Sequence, residues 1–185
     1  HSFPTRRSSD LVLDLVEKHL VTDQMVLTIG YDIDNLTDPK RRNAYHGEVT
    51  IDRYGRRVPK HAHGTINLKN QTSSTKQIMD AVMELYDRIV NPNLLIRRIY
   101  VVACRLSDES SAKQEDTFEQ LDLFTDYAAL EQKKQAEKVK KEKERKLQEA
   151  VLSVKKKYGK NAMLKGMNLQ EGATSVERNR QIGGH

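Results

Sequence analysis

Between His61 and Lys69 the chain alternates without a break, His61, His63, Thr65, Asn67 and Lys69 on one side and Ala62, Gly64, Ile66 and Leu68 on the other. Side chains of a strand point to opposite faces in turn, so this pattern demands a half-buried strand with one polar surface. Its apolar side needs a cover, and the adjoining residues supply one. Ser74, with Gln77 three residues later, forms a capping box, and Ile78, Val82, Leu85 and Ile89 make the apolar stripe of a helix, widened by Met79 and Tyr86. Asn91-Pro92-Asn93 stops that helix, and residues 94–106 read as a long strand with Ile99, Val101 and Ala103 on one side and Arg98 and Tyr100 on the other.

Upstream, Leu11, Val12, Leu15, Val16 and Leu20 lie at helical spacing, and residues 24–33 have the β-branched and aromatic content of a strand. Residues 34–59 are polar, carry Lys40, Arg41, Arg42, Arg53, Arg56 and Arg57, and contain Tyr54-Gly55 and Pro59 as punctuation. A mobile basic connection or hairpin is expected there. The order helix, strand, strand, helix, strand predicts an α+β domain over residues 11–107, with helices on one face of a sheet and a polar, basic surface on the other. Residues 1–10 carry charge, Ser and Pro without a period that leads into this domain, and read as a non-native, adaptor-derived segment to be kept out of fold reasoning.

Beyond Ser107 the texture changes. Residues 108–119 are acidic and Ser-rich, the signature of a linker, and residues 125–185 form a charged tail expected to be mostly helical or disordered. Apolar residues make up 37% of the 185 and aromatics 5%, with no Trp, too little to fill a core over the whole length. The Lys/Glu tract at 133–157 favours helix, but between Val139 and Leu147 every residue is charged, so it lacks coiled-coil heptads and reads as a solvated basic helix. The 32 Lys and Arg exceed the 26 Asp and Glu by six. No apolar run approaches the roughly 20 residues that would span a bilayer. The lone cysteine, Cys104, excludes an internal disulfide and is expected to be a buried thiol.

Three groups of residues carry candidate chemistry. Gln120-Leu121-Asp122-Leu123-Phe124 places apolar anchors between an acidic linker and a charged helix, where they have no core to join and want a partner. Arg97-Arg98, with the polar face of residues 61–69 and the basic groups of residues 53–60, makes a cationic sheet surface whose natural partner is a phosphate backbone. The scarcity of aromatics argues against a base-stacking, single-strand binder. Asp32 and Asp34 share a strand face, yet lack a third acidic partner for a two-metal site. His61 and His63 are short of the four ligands of a structural zinc. A metal hydrolase built on His61, His63 and Asp32 is therefore disfavoured, and no metal site is assigned.

The strand and helix GTINLKNQTSSTKQIMDAVMELYDRIV, the strand LIRRIYVVACRL and the peptide QLDLF together resemble the C-terminal part of a bacterial Y-family (UmuC/DinB-like) translesion DNA polymerase. The resemblance covers residues 11–185 and implies a little-finger domain, truncated before its first strand, followed by a sliding-clamp-binding tail. Arg97, Arg98, Lys60, His61, His63, Thr65, Arg56 and Arg57 then become candidate DNA phosphate contacts, and Gln120, Leu121, Leu123 and Phe124 the clamp contacts. The segment GATSVERNRQIGGH resembles the end of the UmuC-like branch. The resemblance further implies a role in DNA repair, damaged-DNA binding and the SOS response, in the cytoplasm and at the nucleoid. Partners would be primer-template DNA and the clamp, with no membrane and no small-molecule substrate. The palm and fingers have no counterpart, so the Mg2+ of the polymerase belongs elsewhere; this chain carries no catalytic residue and needs no cofactor. The alternative from another class is a non-enzymatic basic module, binding nucleic acid or ribosomes through its Lys/Glu helix.

Overall fold

A computed structural model describes residues 2–112, 127–159 and 162. The fold is α+β. Its centre is strand β1, Leu20–Tyr31, which pairs antiparallel with β4, Ala62–Thr72, on one edge and with β5, Ile96–Cys104, on the other. Met25, Leu27, Ile29 and Tyr31 of β1 point to one face and are buried, as alternation requires. On that face lie helix α1, Ser2–Glu17, and helix α4, Thr75–Ile89, packed side by side. Val12, Leu15 and Val16 of α1 and Ile78, Val82 and Leu85 of α4 complete the core. Burial of each such side chain contributes roughly 1.5–3 kcal/mol. Gly64 of β4 lets α4 come close, because a Cβ there would lie 2.9 Å from Leu85 Cδ1.

The expected strand at 24–33 begins earlier, at Leu20. The helix before it stops at Glu17, and His19 takes the left-handed conformation, φ 53, that turns the chain straight into β1. That conformation usually calls for glycine, so the sequence carried no punctuation there and Leu20 looked helical. At the far end, Asp32 accepts from the backbone of Asp34 (3.1 Å), and the fully buried Asn35 spends its amide on two carbonyls, Asp32 and Leu95 (both 2.9 Å), while its oxygen accepts from Leu95 N (2.8 Å). A short side chain thus ties the end of β1 to the start of β5.

Of the two expectations for residues 34–59, the hairpin is the one present, and two short helices come before it. Two short helices, α2 (Asp34–Thr37) and α3 (Pro39–Ala44), precede a hairpin of β2 (Val49–Ile51) and β3 (Arg57–Pro59). Asp38 caps α3, accepting from Lys40 N at 2.9 Å, with Pro39 in the first turn where its missing N–H costs nothing. The hairpin turn closes on Asp52, which accepts from the backbone of Tyr54 (2.8 Å) and Arg56 (3.0 Å), and Gly55 supplies the required positive φ of 77°.

The cap of α4 is half the expected box. Ser74 Oγ accepts from Gln77 N at 3.3 Å, but the Ser74 N–H goes to Thr72 Oγ1 (3.0 Å). The strand expected at 94–106 is interrupted at Arg105, φ 51, after which β6 (Ser107–Asp108) continues it along β1 in the same register. Cys104 sits opposite Gln24 on the uncovered face and is half-buried rather than buried. Of the expected acidic linker, Asp108 ends strand β6 and Glu109–Ala112 is one helical turn, α5.

The largest departure is α6, Tyr127–Tyr158. A helix solvated on every side was expected, whereas its second half docks on the domain. Glu144 accepts from Ser74 Oγ (2.8 Å) and Lys76 N (3.1 Å), completing the cap of α4 from a distant part of the chain. Gln148, only 6% exposed, donates to Ser73 O (3.0 Å) and Thr75 Oγ1 (2.8 Å). Arg145 reaches Glu109 at 3.0 Å, and Leu152 packs against the core. Among the described residues no helix is long and apolar enough to cross a membrane.

Candidate nucleic-acid interface

The face of the sheet turned away from the helices is open, and its side chains line up in rows across the three strands. His63 of β4 faces Thr28 of β1, which faces Tyr100 of β5; Thr65, Val26 and Val102 form the next row, and Asn67, Gln24 and Cys104 the one after. Two rows are knit by hydrogen bonds, Thr28 Oγ1 to His63 Nδ1 at 2.9 Å and Gln24 Nε2 to Asn67 Oδ1 at 2.9 Å. The result is a firm, polar floor.

Arg97 and Arg98 are both exposed, which strict alternation forbids. A register shift resolves this: Gly30 faces Arg98 while the next residue, Tyr31, faces Ile96, leaving Arg97 as the extra residue of a bulge. Arg98 then lies flat over Gly30, where a Cβ would come within 2.8 Å of its Cγ, and its guanidinium meets the Tyr100 hydroxyl at 3.2 Å. That hydrogen bond raises the Arg98 pKa further above its already high ordinary value. Arg97 turns to Asp32, 3.6 Å away.

Over this end of the sheet hangs the β2–β3 hairpin, enclosing a cleft of about 400 Å³. Arg53, Arg56, Arg97 and Arg98 line it together with two carboxylates, Asp32 and Asp52, and with His61 and Tyr100. Arg56 grips Asp52 through Nε (3.0 Å) and Nη2 (2.8 Å), and this hydrogen bonding pulls the Asp52 carboxyl from an ordinary 3.8 down to about 2. The Arg53 and Arg56 guanidinium carbons stand 4.7 and 5.0 Å from the centre of the Tyr54 ring, within cation–π range.

Of the residues expected to contact phosphate, Arg56, His61, Arg97 and Arg98 meet in this cleft, while His63 and Thr65 stand on the adjoining open face. Arg57 is exposed on β3 and lies outside the cleft lining. Lys60 is exposed but held by Glu48 at 2.7 Å. Three of the expected cations, Arg56, Lys60 and Arg97, thus already have a carboxylate, the cation of each pair lying open to solvent. Such pairs are weak enough for a phosphate to displace. Among the described residues, Arg98 hydrogen-bonds only a neutral hydroxyl, and Arg53, expected as one of the basic groups of residues 53–60, meets only the Tyr54 side chain. Asp52 and Gly55, spaced as the ends of a tight turn, were the available signal that Arg53 and Arg56 flank a hairpin tip.

Gln120, Leu121, Leu123 and Phe124 lie outside the described residues, as does GATSVERNRQIGGH. Asp34 bonds its own turn and does not join Asp32 in a cluster; among the described residues no three His, Cys, Asp or Glu side chains come together. Compared with known proteins, the chain matches no family model, no curated protein and no solved structure.

Proposed function

We propose that this chain binds the phosphate backbone of DNA through the open face of its sheet and the neighbouring arginines. The observation that carries the reading is the convergence of four arginines against two aspartates at one end of a polar sheet whose other face is sealed by helices. Cations in excess of their internal partners attract an external anion, and a polyanion most of all, by releasing its condensed counterions. Phosphate contacts carry no sequence information, so binding through these cations follows shape and charge with little sequence preference.

The fuller reading is a C-terminal region of a Y-family DNA polymerase acting in translesion synthesis. The order of the described elements, with both helices on one side of the sheet and the cations on the other, supports it, together with the QLDLF peptide. In that reading Gln120, Leu121, Leu123 and Phe124 dock on a bacterial sliding clamp and raise the local concentration of the sheet at a primer end. The chain itself performs no chemistry; metal-assisted nucleotidyl transfer belongs to the palm of the parent enzyme. The test is fluorescence anisotropy with labelled duplex DNA and, separately, with a sliding clamp. Duplex binding that weakens steeply with salt, and clamp binding lost in Leu123→Ala/Phe124→Ala while duplex binding persists, is the expected pair of results. A folded chain that ignores duplex DNA at low salt overturns the first, and a double variant that still binds the clamp overturns the second.

One observation favours a second reading, a basic module acting through its tail. Residues 131–143 of α6 are exposed throughout and rich in lysine. Replacing Lys138, Lys140, Lys141 and Lys143 by Gln keeps helix propensity and leaves the docked half of α6 alone. If that change alone removes DNA binding, the tail is the interface and the sheet is not.

A further inference from the structure

Helix α6 sorts its side chains by charge. With about 100° between successive residues, its five acidic residues, Glu131, Glu137, Glu142, Glu144 and Glu149, fall on the side docked to the domain and on one flank of it. The opposite flank has none. There Leu147, Val151, Val154 and Tyr158 follow one another at intervals of four, three and four residues, the spacing of a coiled-coil seam, and they begin where the charged run ends. Leu147 and Tyr158 are 64% and 67% exposed, and Val151 and Val154 are half-buried beside the docked Gln148, Leu152 and Lys155. Lys140 and Lys143 extend this flank towards the start of the helix, and Lys157 borders it with its ammonium 5.3 Å from the centre of the Tyr158 ring. None of these three lysines has a carboxylate partner among the described residues.

Independently of DNA binding, we propose that this flank of α6 docks an acidic amphipathic helix of a partner protein. An apolar seam bordered only by lysines is complementary to a seam bordered by glutamate or aspartate. A second copy of this chain would set lysine against lysine. Nucleic acid would use the lysines and leave the four apolar side chains in water. A bilayer surface, being flat, meets Leu147 and Tyr158 but not the two valines half-hidden at the docked side, whereas the ridge of another helix reaches them. The domain also holds α6 in place through Glu144, Gln148 and Leu152. The seam is therefore formed before a partner arrives, and only the partner's own chain is ordered on binding.

The test uses the full chain and a labelled peptide of about three heptads, with Leu at the seam positions and Glu at the positions beside them, whose like charges keep it from pairing with itself. Two control peptides carry Lys in place of those Glu, or Ser in place of those Leu. Vesicles of phosphatidylglycerol and labelled duplex DNA are run beside them. The acidic peptide should bind, and each control should bind at least about tenfold more weakly. Leu147→Ser/Tyr158→Ser, at two exposed positions away from the docked residues, should weaken the acidic peptide about a hundredfold, about tenfold for each apolar anchor. Duplex binding and the midpoint of urea unfolding should not change. Lys140→Gln/Lys143→Gln should weaken the peptide about threefold at low salt and hardly at high salt. A folded chain that ignores the acidic peptide, or that binds it equally after Leu147→Ser/Tyr158→Ser, overturns the docking site. So does vesicle binding that this variant removes while the peptide is ignored, which makes the flank a lipid surface. Duplex binding lost in the same variant overturns it too, by making the flank part of a nucleic-acid interface.

Discussion

The seam between α6 and the start of α4, and the cleft between the β2–β3 hairpin and the sheet, are both assembled from polar and charged side chains distant in sequence, yet they differ in balance. In the seam each described group closes on another. Glu144 takes the Ser74 hydroxyl and the Lys76 amide, Gln148 gives both protons to Ser73 and Thr75, and Arg145 divides itself between Glu109 and Glu149. In the cleft two arginines have a carboxylate and two do not. A polar cluster that satisfies itself is a joint, because its own hydrogen bonds offset the cost of burying it. One that keeps surplus cations at an exposed surface is poised for an anion from outside.

The largest effect should come from removing two of the four arginines, Arg97, which has Asp32 beside it, and Arg98, which has no carboxylate partner among the described residues. Arg97→Ala/Arg98→Ala is expected to lower duplex affinity about a hundredfold at low salt, close to 2.7 kcal/mol, and to flatten the dependence of log K on log salt by about two charges. Thermal unfolding should hardly move, since both side chains are exposed. If affinity holds, the surplus faces only solvent and the contrast with the seam is empty. Next in size, Gln148→Ala strands the Ser73 carbonyl and the Thr75 hydroxyl in a nearly closed site, and should cost about 1–3 kcal/mol of stability in urea unfolding. DNA affinity should not change. Unaltered stability would mean that α6 rests on the domain without holding it.

The contrast also explains what could be read from the sequence. The alternation of residues 61–69, the stripe of α4 and the alternation of β5 were legible because burial imprints a period on neighbouring residues, and their facing is as expected. The docking of α6 left no such mark. Its anchors, Glu144, Arg145 and Gln148, are hydrophilic, so a pattern of apolar positions cannot reveal them, and the partners of Glu144 and Gln148 lie some seventy positions away at residues 73–76. In the candidate site, Arg97 and Arg98 were visible as a basic pair, and His61 as part of a polar face. Their joining with the basic groups of residues 53–60 was expected, but not its form, a cleft, because that depends on how the hairpin folds back over the sheet and on the bulge that turns Arg97 outward. Likewise His19 ends α1 in a conformation that glycine usually signals.

Smaller effects probe the carboxylates inside the cleft. Asp32→Asn with Asp52→Asn keeps the size of both side chains and removes two counter-charges. With two competing anions gone, the double variant should bind duplex DNA about threefold more tightly at low salt, with the gain fading as salt rises. Weaker binding would show that the aspartates shape the arginines more than they compete for them. The smallest signal is the titration of Asp52 itself. Its folded-state pKa lies below its ordinary value, so the pair with Arg56 is at full strength above about pH 4 and is lost only as pH falls through about 2. A carbon-detected NMR titration of the Asp52 carboxyl should therefore have its midpoint near 2. A midpoint near the ordinary 3.8 would mean that Arg56 does not hold the turn in solution, and the roof of the cleft would then lack the ion pair that pins its tip.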